Sequence, residues 1–220
     1  MKKLILIAMG MIVLQNTSNA QNEKKVMAVK TPIAEYVSIG PVGGFGCSWV
    51  SNMGGTNRFN PAGNIGIGLV YARNEHWGWG TQLTLSSEGY SVDYNKYNAY
   101  SMPLYLRLPV RVYYFFGDFR NTVRPKLYLG PQIGYKVAEN DNLNGYYSDV
   151  AMARNTGNFR TYDFGINGGA GLNVKLANAT WLNLDLNYYQ GLTDAVKDAA
   201  GNSNMNINLG FNAGLLFGIW

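Results

Sequence analysis

The chain of 220 residues is rich in apolar side chains and poor in charge: 47% of its residues are hydrophobic, 14% are aromatic and 14% are charged. A soluble domain carries about 25% charged residues, and glycine, with 27 residues here, usually makes up about 7%. Because helices disfavour glycine and solvated faces need charge, the composition excludes an ordinary soluble helical domain. The many apolar residues argue against disorder, and the length suits one domain.

The first part of the chain has the pattern of a secretory signal peptide. Lys2 and Lys3 form a positive start, residues 4–14 are an apolar run, and residues 18–20 form a small-residue cleavage site. The apolar run is too short to span a bilayer as a helix. We therefore predict a signal peptide at residues 1–20.

The rest of the chain has a weak net charge and a single cysteine. Loss of Lys2 and Lys3 leaves 16 of the 18 basic residues against 13 acidic ones, a net charge of +3. Such a weak and scattered positive charge indicates no nucleic-acid partner. The lone Cys47 has no internal disulfide partner. Residues 21–35 are predicted to be a polar periplasmic leader, and residues 36–220 the folded domain.

Apolar and small or polar residues alternate with a period of two through this domain, which is the signal of half-buried β-strands. In residues 205–220, for example, Leu209 and Phe211 share one face, and Asn208 and Gly210 share the other. Seven further strands are predicted at residues 37–49, 64–72, 77–85, 102–112, 127–135, 162–174 and 182–189. Eight is an even number of strands, as closed outer-membrane barrels prefer.

The predicted connections alternate between long and short. The long ones are residues 51–61, 88–99, 138–158 and 191–204, and the short ones are residues 73–75, 117–123 and 176–179. All long loops therefore lie at one end of the barrel. This is the arrangement of outer-membrane barrels, whose long loops are extracellular and whose short turns lie in the periplasm.

A soluble barrel of the lipocalin type also shows alternating strands. Its outer face would carry many Lys and Glu residues, whereas the polar face here is mostly Gly and Asn, which suit a crowded lumen. Aromatic residues near the strand ends are expected to form interface girdles; these are Trp49, Tyr71, Trp77, Trp79, Tyr114, Phe159, Tyr162 and Trp181. The predicted fold is an all-β, eight-stranded antiparallel up-and-down transmembrane β-barrel in the bacterial outer membrane. Its expected partners are outer-membrane lipid, lipopolysaccharide, and the periplasmic and outer-membrane insertion machinery.

Several short motifs occur in order along the predicted strands. They comprise Tyr100, Met102, Pro103, Leu104 and Leu106, then Lys126, Tyr128, Gly130, Pro131, Gly134 and Tyr135, then Asp163, Phe164, Gly165, Gly169 and Gly171, and finally Tyr189, Gly191, Leu192, Thr193 and Asp194. Together they resemble the PorT-like outer-membrane β-barrel family of Bacteroidetes. The resemblance implies a small barrel inserted in the outer membrane after a signal peptide. It implies no single function, although some members assist protein secretion.

Charged residues on the lumen face are the main candidates for a functional site. An eight-stranded barrel has an interior just wide enough for side chains, and unpaired charges there are costly, so we expect pairing. The predicted polar network that plugs the lumen consists of Arg107, Arg111, Asp163, Asp185, Tyr105 and Tyr189. Arg107 and Asp185 lie near the middle of their strands and are the expected pair. The alternative is that these groups line a narrow ion path.

The long loops carry aromatic residues and an arginine, which are favoured at binding hot spots. The candidates for outer-loop contacts are Tyr94, Tyr97, Tyr146, Tyr147 and Arg154. They suit contact with a partner protein, a glycan or a lipopolysaccharide headgroup. Equally, the tyrosines of the second long loop suit an extension of the outer girdle.

No catalytic, metal or cofactor site is predicted. His76 lies beside a short turn without a catalytic partner, and Cys47 has lipid-facing parity without an activating neighbour. Residues 140–145 approach the EF-hand pattern, but its first position is Asn and its twelfth is Ala151. The sequence therefore favours a non-enzymatic structural or interaction protein. A narrow passive pore and an accessory of a secretion machinery are the alternatives, and a lipid-modifying barrel enzyme is the remote one.

Overall fold

The computed structural model describes residues 36–52, 56–94, 97–145, 159–196 and 203–219. The predicted signal peptide and leader lie outside these residues, as do Tyr146, Tyr147 and Arg154. Within the described part of the chain, no helix is long and apolar enough to cross a membrane.

The described residues form ten strands. They are β1 (Tyr36–Val50), β2 (Thr56–Asn57), β3 (Asn60–Ala72), β4 (Trp77–Ser87), β5 (Tyr90–Tyr94), β6 (Tyr97–Phe115), β7 (Val123–Gly145), β8 (Tyr162–Ala177), β9 (Thr180–Asp194) and β10 (Met205–Gly218). All except the short strands β2 and β5 belong to the barrel wall. Each predicted strand corresponds to one of these eight, and most extend beyond the predicted bounds.

The eight long strands close into an antiparallel barrel. Each pairs with the next long strand along the chain, and β10 returns to pair with β1, so that Ile39 lies opposite Phe217 and Trp49 opposite Ile207. Among the described strands, closure leaves no unpaired sheet edge around the wall, which a barrel in hydrocarbon requires. The predicted all-β, eight-stranded antiparallel barrel is confirmed.

Burial alternates along the strands as the two-residue period predicts. On β4, Trp79, Leu83 and Leu85 point outward and are exposed, whereas Gln82 and Thr84 point inward and are buried. Large apolar side chains likewise cover the outer faces of the other long strands. A soluble barrel would solvate this wall with charges, so the wall has the chemistry of a surface that faces hydrocarbon.

Aromatic side chains form a belt at the short-turn end of the wall. Tyr71 and Trp79 have ring centroids 5.5 Å apart, and Tyr114 lies 5.1 Å from Trp77 and 5.0 Å from Phe116. At the opposite end, Tyr135 and Tyr162 form an outward pair at 5.5 Å. These contacts agree with the expected interface girdles.

Two residues assigned to the girdles lie elsewhere. Phe159 is fully buried inside the barrel mouth at the long-loop end. Trp181 shares the inward parity of Asn183 and lines a cavity at the short-turn end of the lumen. Both residues were assigned to the interface because they are aromatic, but the backbone conformation at each position points the side chain inward.

The long loops contain more strand structure than predicted. The β6–β7 pair continues outward to Tyr97 opposite Gly145, β5 pairs with the outer part of β6, and β2 pairs with β5. The EF-hand-like residues 140–145 therefore belong to a paired strand and not to a calcium loop. The alternation does not predict this extension because most of its residues are polar or aromatic on both faces, which removes the two-residue signal.

Candidate functional site

The structure buries all six residues of the predicted lumen network. Each is at most 4% exposed: Tyr105, Arg107, Arg111, Asp163, Asp185 and Tyr189. It does not join them into one network. They fall into two clusters at different heights, each with a charged residue that the sequence analysis missed.

The first group, here called the Arg107 cluster, consists of Arg107, Glu88, Asp163 and Asn206. Arg107 Nε donates to Glu88 Oε1 at 3.0 Å, and its Nη2 lies 2.5 Å from Glu88 Oε2 and 2.7 Å from Asp163 Oδ2. Asn206 Nδ2 donates to Glu88 Oε2 at 2.8 Å and to Asp163 Oδ2 at 3.3 Å. One guanidinium thus bridges two carboxylates, and an amide closes the ring of contacts.

Two tyrosines enclose the Arg107 guanidinium. Its Cζ lies 4.6 Å from the ring centroid of Tyr105 and 4.6 Å from that of Tyr189. Cation–π contacts strengthen when the groups are buried away from solvent, as Arg107 is here. The Arg107 side chain is therefore held by charge at its edge and by aromatic faces, which leaves it little freedom to move.

Glu88 reaches the lumen because the inward alternation of β4 continues past the end of the strand. Gln82, Thr84, Ser86 and Glu88 are all buried, and Ser86 Oγ donates to Glu88 Oε1 at 2.6 Å. Gly89 follows with φ of 145°, a conformation that L side chains rarely adopt. Glu88 falls in the predicted connection 88–99, although it shares the inward-facing alternation of Gln82 and Thr84.

The second group, here called the Lys126 cluster, consists of Lys126, Asp185, Arg111 and Asn167. Lys126 Nζ lies 2.8 Å from Asp185 Oδ1, and Arg111 Nε donates to Asn167 Oδ1 at 2.5 Å. Arg111 also lies over the Tyr128 ring, 4.8 Å from its centroid. Lys126 shares the inward parity of Tyr128, so the alternation could have identified it.

The expected pair of Arg107 and Asp185 is wrong, and strand register gives the reason. Arg107 lies opposite Gly134, which lies opposite Asp163 on the following strand. Asp185 lies opposite Gly171, which lies opposite Lys126. Each charged pair therefore meets across a glycine on the strand between its members. The position of a residue within its own strand does not show its height along the barrel axis, because that height depends on the register between paired strands.

The glycines between the paired charges are needed for space. A Cβ atom on Gly134 would lie 2.6 Å from Arg107 Nη1, and one on Gly171 would lie 2.0 Å from Asp185 Oδ1. Neighbouring strands are about 4.8 Å apart, so a long side chain can reach over one strand only if that strand presents no side chain. Glycine on the lumen face thus allows both clusters to form.

Little open space remains between the clusters. A cavity of about 30 Å³ separates them, lined by Arg107, Arg111 and the amides of residues such as Asn64, Gln82 and Asn212. That volume suits about one or two water molecules. The three positive charges of the clusters match their three carboxylates. The centre of the lumen is therefore filled and electrically balanced.

An apolar cap covers the lumen at the long-loop end. This loop-end cap consists of Val50, Tyr90, Val92, Tyr105, Phe159, Ala195 and Val196. Phe159 stacks on Tyr90 at 5.7 Å and meets Tyr105 edge-on at 6.5 Å. The cap lies over the Arg107 cluster, since Tyr105 belongs to both.

Polar contacts fix Phe159 in the cap. Its backbone N–H donates to Glu139 Oε1 at 3.1 Å, and its carbonyl accepts from Lys136 Nζ at 2.5 Å. Lys136 and Glu139 also form an ion pair. A β-bulge makes this possible, because Val137 has no partner between Lys136 opposite Tyr105 and Ala138 opposite Leu104.

The remaining candidates lie away from the lumen. Tyr94 and Tyr97 are opposite each other at the tip of the β5–β6 hairpin. His76 Nδ1 lies 3.1 Å from the Phe115 carbonyl oxygen, and its ring stacks on Tyr114 at 5.9 Å. Cys47 is half-buried in the wall. Within the described ranges, no group of three or more potential metal ligands of the His, Cys, Asp and Glu types occurs.

Comparison with known proteins agrees with this barrel. Residues 19–197 match the family model described as outer membrane protein beta-barrel domain. The crystal structure of Neisserial surface protein A is similar, with 13% sequence identity, a TM-score of 0.50, and coverage of 82% of this chain and 96% of that chain. The outer membrane protein OprG from Pseudomonas aeruginosa is similar at 12% identity and a TM-score of 0.50, covering 84% and 95% of the two chains.

At such low identities the structural likeness concerns the fold alone. In sequence, no curated protein matches the chain. The family match spans most of the chain and agrees with the closed wall and the apolar outer face. The chain therefore belongs to the outer membrane protein β-barrel domain family.

Proposed function

We propose that this outer-membrane barrel is a closed structural or interaction protein, and that it is neither a pore nor an enzyme. The filled lumen carries the proposal. A permeating ion would have to pass the loop-end cap and both charge clusters, where Arg107 and Lys126 are held by carboxylates at 2.5–2.8 Å. Opening such a path would expose or separate buried charges, which is costly.

We also propose an orientation of the barrel in the membrane. The short turns, the start of β1 and the end of β10 lie at one end of the barrel, and the longer connections lie at the other. By analogy with other outer-membrane barrels, the long-loop end faces the cell exterior and the short turns face the periplasm. The sheet of β2, β5 and the outer parts of β6 and β7 is then the surface available for a partner protein or lipopolysaccharide.

Solute flux through proteoliposomes tests the closed lumen. Purified protein would be reconstituted in liposomes and exposed to an osmotic step of a small sugar, beside liposomes with a general porin and liposomes without protein. We expect swelling at the rate of the protein-free liposomes. Swelling that increases with the amount of folded protein would contradict the proposal.

A role as an accessory of protein secretion is the second candidate. It is supported by the motifs that resemble PorT-like barrels, which lie on β6, β7, β8 and β9. A deletion strain would test it by comparison of the proteins in the culture medium with those of the parent strain. Loss of secreted proteins, restored by the wild-type gene, supports the secretion role. An unchanged secretome with retained co-purification of a partner would favour a structural or interaction role.

A further inference from the structure

A cavity of about 110 Å³ opens at the short-turn end of the lumen. Its wall includes Phe115, Phe119 and Trp181, with Arg124 and Lys175 among them. It lies at the end opposite to the loop-end cap. Neither the Arg107 cluster nor the Lys126 cluster contributes to its lining.

The described lining of this cavity is positively charged. Among the residues that the structure describes, its lining includes two cations and no carboxylate. Arg107 and Lys126 each hold a carboxylate deeper in the lumen, whereas no ion pair among the described residues includes Arg124 or Lys175. Glu75 and Asp118 are near enough to act electrostatically on Arg124, but both lie at exposed turn positions outside the lining.

Arg124 is fixed by its contacts, but not all of its hydrogen-bond donors have an acceptor. It is only 3% exposed, and its Nη2 donates to the carbonyl oxygen of Glu75. The guanidinium packs over the rings of Phe115 and Phe119, at 4.7 Å and 4.6 Å from their centroids. Its Nε is buried without a hydrogen-bond partner. A buried donor of this kind costs free energy unless a ligand or water accepts from it.

Two asparagines add polar groups to the same cavity. Asn173 and Asn183 line it, are more than nine-tenths buried, and each has an Oδ1 without a hydrogen-bond partner. An amide can present its donor end instead after a half-turn of the side chain. The cavity therefore combines a fixed guanidinium, an ammonium and two adaptable amides against aromatic walls.

We infer that this turn-end cavity binds a small oxyanion, the carboxylate or phosphate group of a compact ligand. Arg124 is the main partner of the anion, because its guanidinium matches carboxylate and phosphate geometry. Lys175, half-buried and 5.9 Å above the Trp181 ring, adds a second positive charge. A cavity of about 150 Å³ accommodates benzene. The turn-end cavity, at about 110 Å³, is smaller and therefore suits a carboxylate or phosphate group better than a ring of that size or larger.

Isothermal titration calorimetry on the folded mature protein in a zwitterionic detergent tests this site. Inorganic phosphate and acetate would be titrated separately at constant ionic strength, with chloride as the reference anion. We expect saturable binding of phosphate, acetate or both at one site per barrel, and the two titrations distinguish a phosphate site from a carboxylate site. Absence of saturable binding for both anions would overturn the inference.

Variants locate the binding. We expect Arg124→Gln to lower the affinity for the anion at least tenfold and Lys175→Gln to lower it several-fold. The matched control is Arg58→Gln, since Arg58 is an exposed arginine in the long-loop region and should leave the affinity unchanged. Heat-modifiable migration on gels verifies folding, and Lys175→Gln decides the question if Arg124→Gln does not fold. Unchanged affinity in the folded cavity variants would contradict the site.

Discussion

Arg107 and Lys126 show how single residues allow a narrow lumen to hold charge. Each reaches over a lumen-facing glycine, and each finds a carboxylate on the strand beyond it. The charge is then removed from water but remains paired. Removing one member of such a pair leaves an uncompensated charge in a buried site, which is more damaging than never having placed the pair there.

Replacement of Arg107 tests the pairing. Arg107→Gln leaves Glu88 and Asp163 close together without a cation, so we expect the free energy of unfolding to fall by about 3–5 kcal/mol. Arg58→Gln is the matched control, because Arg58 is exposed and its partner Asp93 is only half-buried, and we expect it to cost about 1 kcal/mol or less. Denaturant titration in detergent measures both. Equal, small losses would show that the Arg107 cluster contributes little to stability.

The lumen glycines yield a second prediction at this scale. Gly134→Ala would place a Cβ 2.6 Å from Arg107 Nη1, and overpacking of this kind costs about 1–3 kcal/mol. Gly63 lies on the outward face of β3, where the nearest atom to an added Cβ is 3.7 Å away, so Gly63→Ala should change stability by about 0.5 kcal/mol or less. The same denaturant titration distinguishes them. A Gly134→Ala variant as stable as the wild type would show that the Arg107 side chain can move aside.

Parity along the strands was enough to predict which residues are buried in the lumen. It correctly turned Arg107, Asp163 and Asp185 inward. It could not predict which charges pair, because the pairing depends on the register between strands. The alternation was also followed only to the predicted strand ends, and Glu88, one residue beyond β4, was therefore not identified as a lumen residue.

At the scale of the elements, the long strands could be predicted but their extensions could not. The barrel part of β6 alternates apolar and polar residues because one face meets an apolar environment and the other a crowded interior. Beyond the wall, β6 and β7 continue as polar, Asn-containing segments. Their backbones pair, but their side chains do not alternate between apolar and polar, so the sequence gives no strand signal. The loop-end cap was hidden for the same reason, since its members come from separate segments that only the fold brings together.

Replacement of Phe159 tests the loop-end cap. Phe159 is fully buried in the loop-end cap, and its replacement in Phe159→Ala should lower the free energy of unfolding by about 3–5 kcal/mol. Phe59→Ala is the size-matched control, because Phe59 is 76% exposed. We expect limited proteolysis of the long-loop end to accelerate for Phe159→Ala and to stay unchanged for Phe59→Ala. A similar, slow cleavage of both variants would indicate that the cap does not order this end.

The low charge and high glycine content are properties of the whole molecule. The outer face is apolar because it meets hydrocarbon, and the inner face admits charge only where register supplies a partner and glycine supplies room. Composition and alternation therefore predicted the barrel and its environment. They could not predict the work of the protein, because neither property describes the chemistry of a partner or a ligand.

Closure of the whole barrel predicts heat-modifiable migration. A barrel whose wall has no unpaired edge should remain folded in SDS without boiling and should migrate differently after boiling. The measurement compares boiled and unboiled samples of outer-membrane fractions on one gel. Identical migration of both, or recovery of the protein in the soluble periplasmic fraction, would contradict the membrane barrel.

Single-channel recording of the purified, folded protein in a planar lipid bilayer tests the closed lumen most directly. With the loop-end cap above and two paired charge clusters below it, we expect insertion without a steady conductance. Heat-modifiable migration of the same preparation would verify that the recorded protein is folded. A reproducible, steady conductance on the order of a nanosiemens would contradict the filled lumen and favour the narrow pore.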